Sequence, residues 1–413
     1  CVGCGVCVGV CPSHHLTIEY DDNNLLRVSE QDNKCSDQCN MCLSVCPFSN
    51  ESRNEDFLSR SMYEETQDIS YRKECGFFLN CYVGYHPNLE KRMNSASGGL
   101  TTYVLEQLLD SRVVDAAMVV GHRQGDKPYY EYTLCRNAED LYQCTRSAYY
   151  AVQAGDVLRR IVSDKELKSV AVVALPCLCK AIRNACIENA VLRRKVKYII
   201  GLVCGQQKTH NFSEFLAKKS GVDSLQGIDF RTKEVGRPNG NYGVKLKGNA
   251  EVEKVITFSS YAKEWSFKMF TVQACNYCDD VFAETADMVL MDAWLPEYGH
   301  SDKGENLIIT RNRELDEVVG SISGVMPIGI DRVIQSQSSV VQNKRKAISL
   351  ALQQLKSRGI NLRKRDTLYS KPSCLEKPLL KTKYRISISS DRIWNEVKGD
   401  LSAFYKKIRK LDQ

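Results

Sequence analysis

CVGCGVCVGVCP (residues 1–12) and CSDQCNMCLSVCP (residues 35–47) decide how the first part of this chain folds. The cysteines stand at Cys1, Cys4, Cys7 and Cys11, then at Cys35, Cys39, Cys42 and Cys46. Each set closes on a proline, Pro12 or Pro47. A cubane iron–sulfur cluster needs four thiolates converging on four corners. Three closely spaced cysteines wrap three corners of one cluster, and the fourth, three residues on and before a proline, is directed to the other cluster. The spacing therefore predicts one 4Fe–4S cluster on Cys1, Cys4, Cys7 and Cys46, and a second on Cys35, Cys39, Cys42 and Cys11. Small residues such as Gly3, Gly5 and Val6 let the backbone turn tightly and aim amides at sulfur. One extra residue separates Cys35 from Cys39, so Cys35 is the least regular of the eight. Zinc or purely structural thiols are the competing readings, and two matching sets closed by Cys-Pro argue against both.

This is the pattern of a bacterial-type two-cluster ferredoxin domain, expected over residues 1–50. Working outward, residues 51–74 are polar and charged and read as a linker. From 75 to about 335, apolar β-branched runs alternate with amphipathic stretches. Leu100–Leu109, Ala148–Val162 and Lys180–Arg194 have helical spacing, whereas Val113–Gly121, Val170–Leu175 and Val196–Val203 read as buried strands. Such alternation predicts a sheet with helices packed on it. Pro238-Asn239-Gly240 supplies turn chemistry for a hairpin over Gly236–Gly248. Residues 336–413 form a basic, mainly helical extension with a break near Lys371–Pro372. The fold class is thus α+β to α/β: a small ferredoxin domain, a larger mixed α/β core and a helical tail.

Bulk properties agree. A chain of 413 residues is too long for one small core. Nineteen cysteines, an odd number, in a chain of enzyme-like composition indicate metal or redox chemistry rather than a secreted disulfide scaffold. With no apolar run long enough to span a membrane and no secretory signal, the expected location is cytoplasmic. The sequence opens on Cys1 rather than a methionine, which leaves room for a missing N-terminal piece. The net charge of +7 is uneven: from Val341 onward 19 Lys and Arg face 6 Asp and Glu, leaving the remainder acidic. Such a tail could dock an acidic partner, a nucleic acid or a membrane surface, but the plainer reading is a solvated helical face and a frayed terminus. No nucleic-acid partner and no transmembrane segment are expected.

Cysteines continue into the α/β region. Cys177 stands in ALPCLCK, Cys204 in GLVCGQQKT, and Cys275 and Cys278 in ACNYCDDVFAETADMVLMDAW. The first two follow predicted strands, where sites in α/β sheets gather. Lone buried cysteines are also common, so spacing alone leaves a third cluster open. These segments, with SASGGLTTYVLEQLL, resemble the beta-subunit family of coenzyme F420-reducing hydrogenase and F420-linked formate dehydrogenase. The likeness runs from about Cys75 to Ile330, its N-terminal part over 75–155 and its C-terminal part over 156–335. It implies an oxidoreductase subunit that carries FAD and a third 4Fe–4S cluster, with Cys177, Cys204, Cys275 and Cys278 as ligands. Cys179 rivals Cys177, but the Pro176-Cys177 pairing matches the family pattern better. Cys75, Cys81, Cys135, Cys144, Cys186 and Cys374 read as structural.

Ser95, Ser97, Gly98 and Gly99 precede a helix, and consecutive glycines let a backbone approach a ligand closely. A simple N-cap is the bland alternative, and the resemblance implies a flavin-contacting loop, with Thr101 and Thr102 beside it. Lys180 and Lys208 would neutralise phosphates or lie on the surface. Asp279, Asp280 and Asp292 would bind sugar hydroxyls or serve as caps. His14-His15 reads as exposed loop. No hydrolase arrangement is present, and the catalytic residues are not readable. The implied job is a relay between an organic hydride carrier, FAD, the clusters and an external partner, whether a redox protein, a ferredoxin or the catalytic subunit of a hydrogenase- or dehydrogenase-type complex. Coenzyme F420 is the first candidate carrier. The alternatives are a ferredoxin-linked flavoenzyme reducing another small molecule, such as a surface-polysaccharide precursor, and a non-catalytic electron-transfer adaptor.

Overall fold

VAVVA (Val170–Ala174) and NLIIT (Asn306–Thr310) are buried along their whole length, as strands covered on both faces must be. The computed structural model describes residues 1–31, 35–36, 38–123, 127–249, 252–362, 365 and 371–411. In it these runs belong to an eight-stranded mixed sheet. The strand order is Met326–Pro327, Cys81–Gly84, Asn306–Thr310, Met288–Asp292, Val196–Leu202, Val170–Ala174, Ala116–His122 and Tyr130–Cys135. The four strands from Met288–Asp292 to Ala116–His122 are parallel, and the outer ones are antiparallel. Val170, Val172 and Ala174 face a core shared with Leu158, Ile161, Leu178 and Ile182. Ala171 and Val173 face the opposite core, with Leu100, Val104 and Leu108. That alternation is the two-residue period of a strand.

The N-terminal module has two short helices, Val6–Val10 and Met41–Val45, and a hairpin of Leu16–Tyr20 with Leu26–Glu30. It is docked on the core. Gly5 has φ +72°, and a Cβ there would stand 2.9 Å from the amide nitrogen of Gly155. The amide of Ala154 donates to the Cys4 carbonyl at 2.8 Å. Arg159 donates to the carbonyls of Val8 and Leu16 at 3.2 and 3.0 Å.

Several local expectations are corrected. The helix expected over Ala148–Val162 begins only at Gly155, because Tyr149 and Tyr150 pack their rings on Trp265 and His210 from an irregular segment. The turn residues Asn239–Asn241 form a 3-10 turn on the way from Gly227–Thr232 to Gly243–Lys247, and Glu253–Thr257 completes a three-stranded sheet. The polar segment 51–74 holds the helix Glu55–Tyr63, with Leu58 and Tyr63 buried, and Arg53 pairs with Glu188 at 2.7 Å. The described part of the basic tail is packed on the core, and the end expected to fray, residues 412 and 413, lies outside the described residues. After the helix Ile330–Lys356, the helices Glu376–Glu396 and Leu401–Arg409 bury Trp394 and Phe404 against Phe215 and Phe270. Among the described residues no helix is long and apolar enough to cross a membrane.

Candidate metal centres and a basic loop

The carboxyl ends of two neighbouring parallel strands bring the first pair of core cysteines together. Cys177 is the second residue of the helix Pro176–Glu188, which starts directly after Val170–Ala174. Proline at the first helical position suits that start, since its missing amide proton would have no partner there. Cys204 follows Val196–Leu202. Cys275 lies in the turn Gln273–Tyr277, and Cys278 caps it. Burial pushes the Cys177 thiol well up, and Cys278, Cys275 and Cys204 push it further. Burial likewise takes Cys204 up to about 12, against the pull of Lys344 and with Cys275 and Cys278 adding to it. The four thiols thus act on one another electrostatically, Cys275 and Cys278 buried and Cys177 and Cys204 half-buried. Cys179 stands apart: its Sγ lies 3.4 Å from the Ala174 carbonyl, and its charged neighbours are Asp280 and Arg183.

The N-terminal cysteines divide into two groups. Cys4 is pushed up to about 12 by burial, with Cys7 and Cys46 as its neighbouring thiols. Cys7 is raised to about 11 by burial and then by Cys46. The Cys1 Sγ accepts from the Gly3 amide at 3.3 Å. Cys35, raised by slight desolvation, sits by Cys39, Cys42 and Cys11. Cys42 has Cys39 and Cys11 beside it. The structure therefore brings Cys46 to Cys4 and Cys7, and Cys11 to Cys35 and Cys42. Cys35 and Cys39 are exposed. His15 is buried rather than exposed, with Nδ1 at 2.6 Å from Ser13 Oγ, and its ring stands with Glu30 beside Cys35.

Two observations test what such sets fit. Zinc bound to four sulfurs at about 2.3 Å would hold them roughly 3.8 Å apart. Among the described residues no three cysteine sulfurs lie within 4.8 Å of one another. Backbone amides also favour the thiolates: Val6 at Cys4, Val8 at Cys7, Leu43 at Cys42, and Gln207 at Cys275 over 3.4 Å. Wide four-sulfur sets fringed by amides fit iron–sulfur clusters better than a single ion. The core and N-terminal sites are contiguous. Cys4, Cys177 and Cys275 share one apolar cluster with Val2, Leu26 and Ala151. Cys4 acts electrostatically on Cys177, and Tyr132 neighbours both.

The Ser-Gly-Gly loop is buried and tied to its own chain. Ser95 Oγ donates to the Lys91 carbonyl at 2.8 Å and Ser97 Oγ to the Glu305 carbonyl at 2.7 Å. A Cβ on Gly98 would stand 2.7 Å from the Asn306 amide nitrogen, so a neighbouring strand already demands glycine there. Gly99 has φ +86° and caps the helix Leu100–Asp110, where Thr101 and Thr102 are half-buried. Asn306 Oδ1 accepts the Leu100 amide at 3.1 Å. Around this loop stand cations that the sequence reading missed. Arg231 donates to the Ala96 carbonyl and pairs with both Asp292 oxygens, at 2.7 and 3.2 Å, with Tyr242 on its face. Lys233 Nζ donates to the carbonyls of Arg92, Ser97 and Lys303, and burial pulls it down to about 7.

Lys180 and Lys208 do not join that loop. Lys180 is buried and pairs with Glu55 at 3.2 Å. Lys208 is fully buried over Trp265 and Phe212, donating to the Met269 carbonyl at 2.7 Å. Neither is a surface lysine. Asp279 pairs with Arg365 at 2.8 Å, and the carboxyl of Asp280 accepts the Glu284 amide at 3.1 Å. Cys75, Cys81, Cys135 and Cys186 are buried, Cys144 is half-buried 3.8 Å from Cys135, and Cys374 is exposed.

Residues 81–159 match the model of the N-terminal part of the coenzyme F420 hydrogenase/dehydrogenase beta subunit, and residues 167–326 match its C-terminal part. The chain belongs to this family. It is therefore a member of an F420-linked oxidoreductase and electron-transfer family. Its relatives include the coenzyme F420-dependent sulfite reductase of Methanocaldococcus jannaschii, 27% identical over 344 residues. That alignment covers 78% of this chain but 46% of the relative, so the chain spans less than half of that protein. The uncharacterized protein MJ1349 of the same organism is 23% identical, over 76% of this chain and 84% of its own length. The fold is shared with a chain of the F420-reducing [NiFe] hydrogenase complex from Methanosarcina barkeri, with a TM-score of 0.54 and 15% identity over 73% of this chain and all of that one.

The basic residues missed around the F420-family loop had one sequence signal. RTKE at 231–234 puts Arg231 and Lys233 on alternate positions at a strand end, next to the glycine-rich turn.

Proposed function

We propose that this chain relays electrons between an organic hydride carrier of the coenzyme F420 type and an external redox protein, through FAD and three 4Fe–4S clusters. The contiguity of Cys4 with the core cysteines carries the reading. It orders the sites: Cys177, Cys204, Cys275 and Cys278 innermost, then Cys1, Cys4, Cys7 and Cys46, then Cys11, Cys35, Cys39 and Cys42. Each set of four thiols would hold one cluster, fixed by loops that the sheet and the short helices position. Exposed Cys35 and Cys39 put the last site where a partner subunit or ferredoxin can reach it. The names of the sulfite reductase and hydrogenase relatives support F420 as the carrier.

FAD, when bound, would supply the conversion between two-electron hydride transfer and one-electron transfer. The residues that would hold it are those of the loop 95–102. Arg231 fixes the Ala96 carbonyl and Lys233 fixes the Ser97 carbonyl, so the loop is held in one conformation. Burial of the Ser-Gly-Gly backbone keeps water out of the loop. A second reading, an adaptor that carries clusters but no flavin, draws on Gly98 and the two serines, whose needs are met inside the chain.

Anaerobic purification followed by iron, sulfide and flavin analysis tests both. About twelve irons and one FAD per chain support the relay, on the count of four irons per cubane. Twelve irons without flavin favour the adaptor, and bound zinc without iron would sink both. In stopped-flow mixing, reduced F420 should bleach the flavin before the clusters. No bleaching at all would remove F420 as the carrier.

A further inference from the structure

The helix Ile330–Lys356 lies beyond the segment that the family models match, yet it sends a cation into the core site. Lys344 is 6% exposed. Its Nζ donates to the Cys204 carbonyl at 3.0 Å and to the Asp280 carbonyl at 2.7 Å. Both acceptors are main-chain oxygens on loops that carry candidate ligands: Cys204 itself, and Asp280 two residues past Cys278. Those loops also meet directly, with the Cys204 amide donating to Val281 at 3.1 Å. Among the described residues no carboxylate oxygen comes within ion-pair distance of Lys344. The carboxyl of Asp280 is turned to the Glu284 amide instead.

A buried ammonium without a carboxylate is costly unless something else nearby is negative. Here the groups that favour its charge are Cys278, Cys204 and Cys275, in that order, with the Asp280 carboxyl behind them and outside ion-pair distance. Lys268, whose Nζ is 3.4 Å from Asn276 Oδ1, is a second cation acting on Cys275 and Cys278. The N-terminal sets differ. Besides burial, Cys4, Cys7 and Cys42 answer mainly to neighbouring cysteines and backbone amides. A cubane held by four thiolates is an anion, and it gains one more negative charge on reduction. A fixed cation beside it therefore favours the reduced form.

We infer that Lys344 is a positioning residue that sets the potential of the core cluster: its two carbonyl contacts hold the ligand loops together, and its charge makes this site easier to reduce than an uncompensated one. The inference rests on the reading of Cys177, Cys204, Cys275 and Cys278 as cluster ligands. Lys344 donates no electron. The electron enters from an external reductant and stays on the iron–sulfur core, while the ammonium keeps its proton.

The test is an anaerobic dithionite titration of the full chain, with redox mediators, followed by electron paramagnetic resonance. It compares wild type with K344M, K344Q and K344R, after iron and sulfide analysis of each. Gln keeps a hydrogen-bond donor without the charge, and Arg keeps the charge. One of three cluster signals should become at least tenfold harder to reduce in K344M and K344Q, about 59 mV for one electron. The other two should stay put, and K344R should remain near wild type. Loss of about four irons from K344M and K344Q but not from K344R also supports a charge requirement, since a cubane holds four. Full iron with unmoved potentials in both neutral variants overturns the inference and leaves the cluster reading standing. Loss of iron from all three variants overturns it as well, by showing a purely structural side chain. A wild-type chain with only about eight irons, enough for two cubanes, overturns the cluster reading itself.

Discussion

The core cysteines and the outer N-terminal cysteines offer the same sulfur ligands in opposite surroundings. Cys275 and Cys278 are 8% and 9% exposed, and Lys344 reaches the neighbouring carbonyls of Cys204 and Asp280. Cys35 and Cys39 stand in solvent. Ligand type cannot distinguish two such sites; burial and nearby charge can. On the proposed relay the more buried site would exchange single electrons with the flavin. The wet one suits exchange with another protein. On that reading one set of sulfurs would be an interior station and the other a terminal.

The largest effect should come from breaking the interior station. Cys177→Ser with Cys275→Ser should remove about four irons per chain, one cubane. Reduction of the remaining clusters by reduced F420 should slow by more than a hundredfold in stopped flow. Cys179→Ser should keep all the iron, and equal loss in Cys179→Ser would reverse the choice between the two cysteines. A smaller effect should appear at the seam between the two regions. His210 stacks on Tyr150 at 3.9 Å, and its Nε2 stands 3.0 Å from Tyr20 Oη of the N-terminal hairpin and 2.9 Å from the Ala151 carbonyl. Burial pulls it from 6.5 down to about 4. As pH falls below 6.5 the unfolded chain takes up the proton first, so stability is lost progressively until folded His210 also protonates near 4. At about 1.4 kcal/mol per pH unit the loss is roughly 3 kcal/mol. Denaturant titrations at stepped pH should show it, and His210→Gln should flatten the slope between pH 6.5 and 4.

Smaller again is the loop beside the core. Asn306→Ala leaves the buried Leu100 amide without its acceptor, which costs about 1–3 kcal/mol in chemical denaturation. Flavin content should fall with it if the loop holds FAD. At the bottom of the scale, Cys374→Ser alters an exposed thiol and should leave iron content and Tm unchanged.

Much of this was legible in the residues. Helical spacing at 100–109 and the β-branched runs at 170–175 and 196–203 fall close to the observed elements, because packing there agrees with local preference. Apolar spacing misled at 148–154, where the aromatic rings serve a tertiary cluster rather than a helix face. A polar stretch misled at 51–74, since a helix with one buried stripe is mostly polar. Lys208 could not be placed from sequence, because only tertiary contact reveals that Trp265 and Met269 surround it. Lys344 was hidden for a related reason: in a basic tail, a lysine that turns inward looks like all the others.

The amide of Ala154 on the Cys4 carbonyl, with Gly5 pressed on Gly155, leaves no slack between module and core. That rigidity has a kinetic meaning. On the proposed relay, transfer inside the chain would need no docking event, so added salt would have little to screen there. On the same relay, exchange at the exposed end would be an encounter between two proteins, and its rate should vary with ionic strength. Salt would then be a dial on one end of the molecule alone.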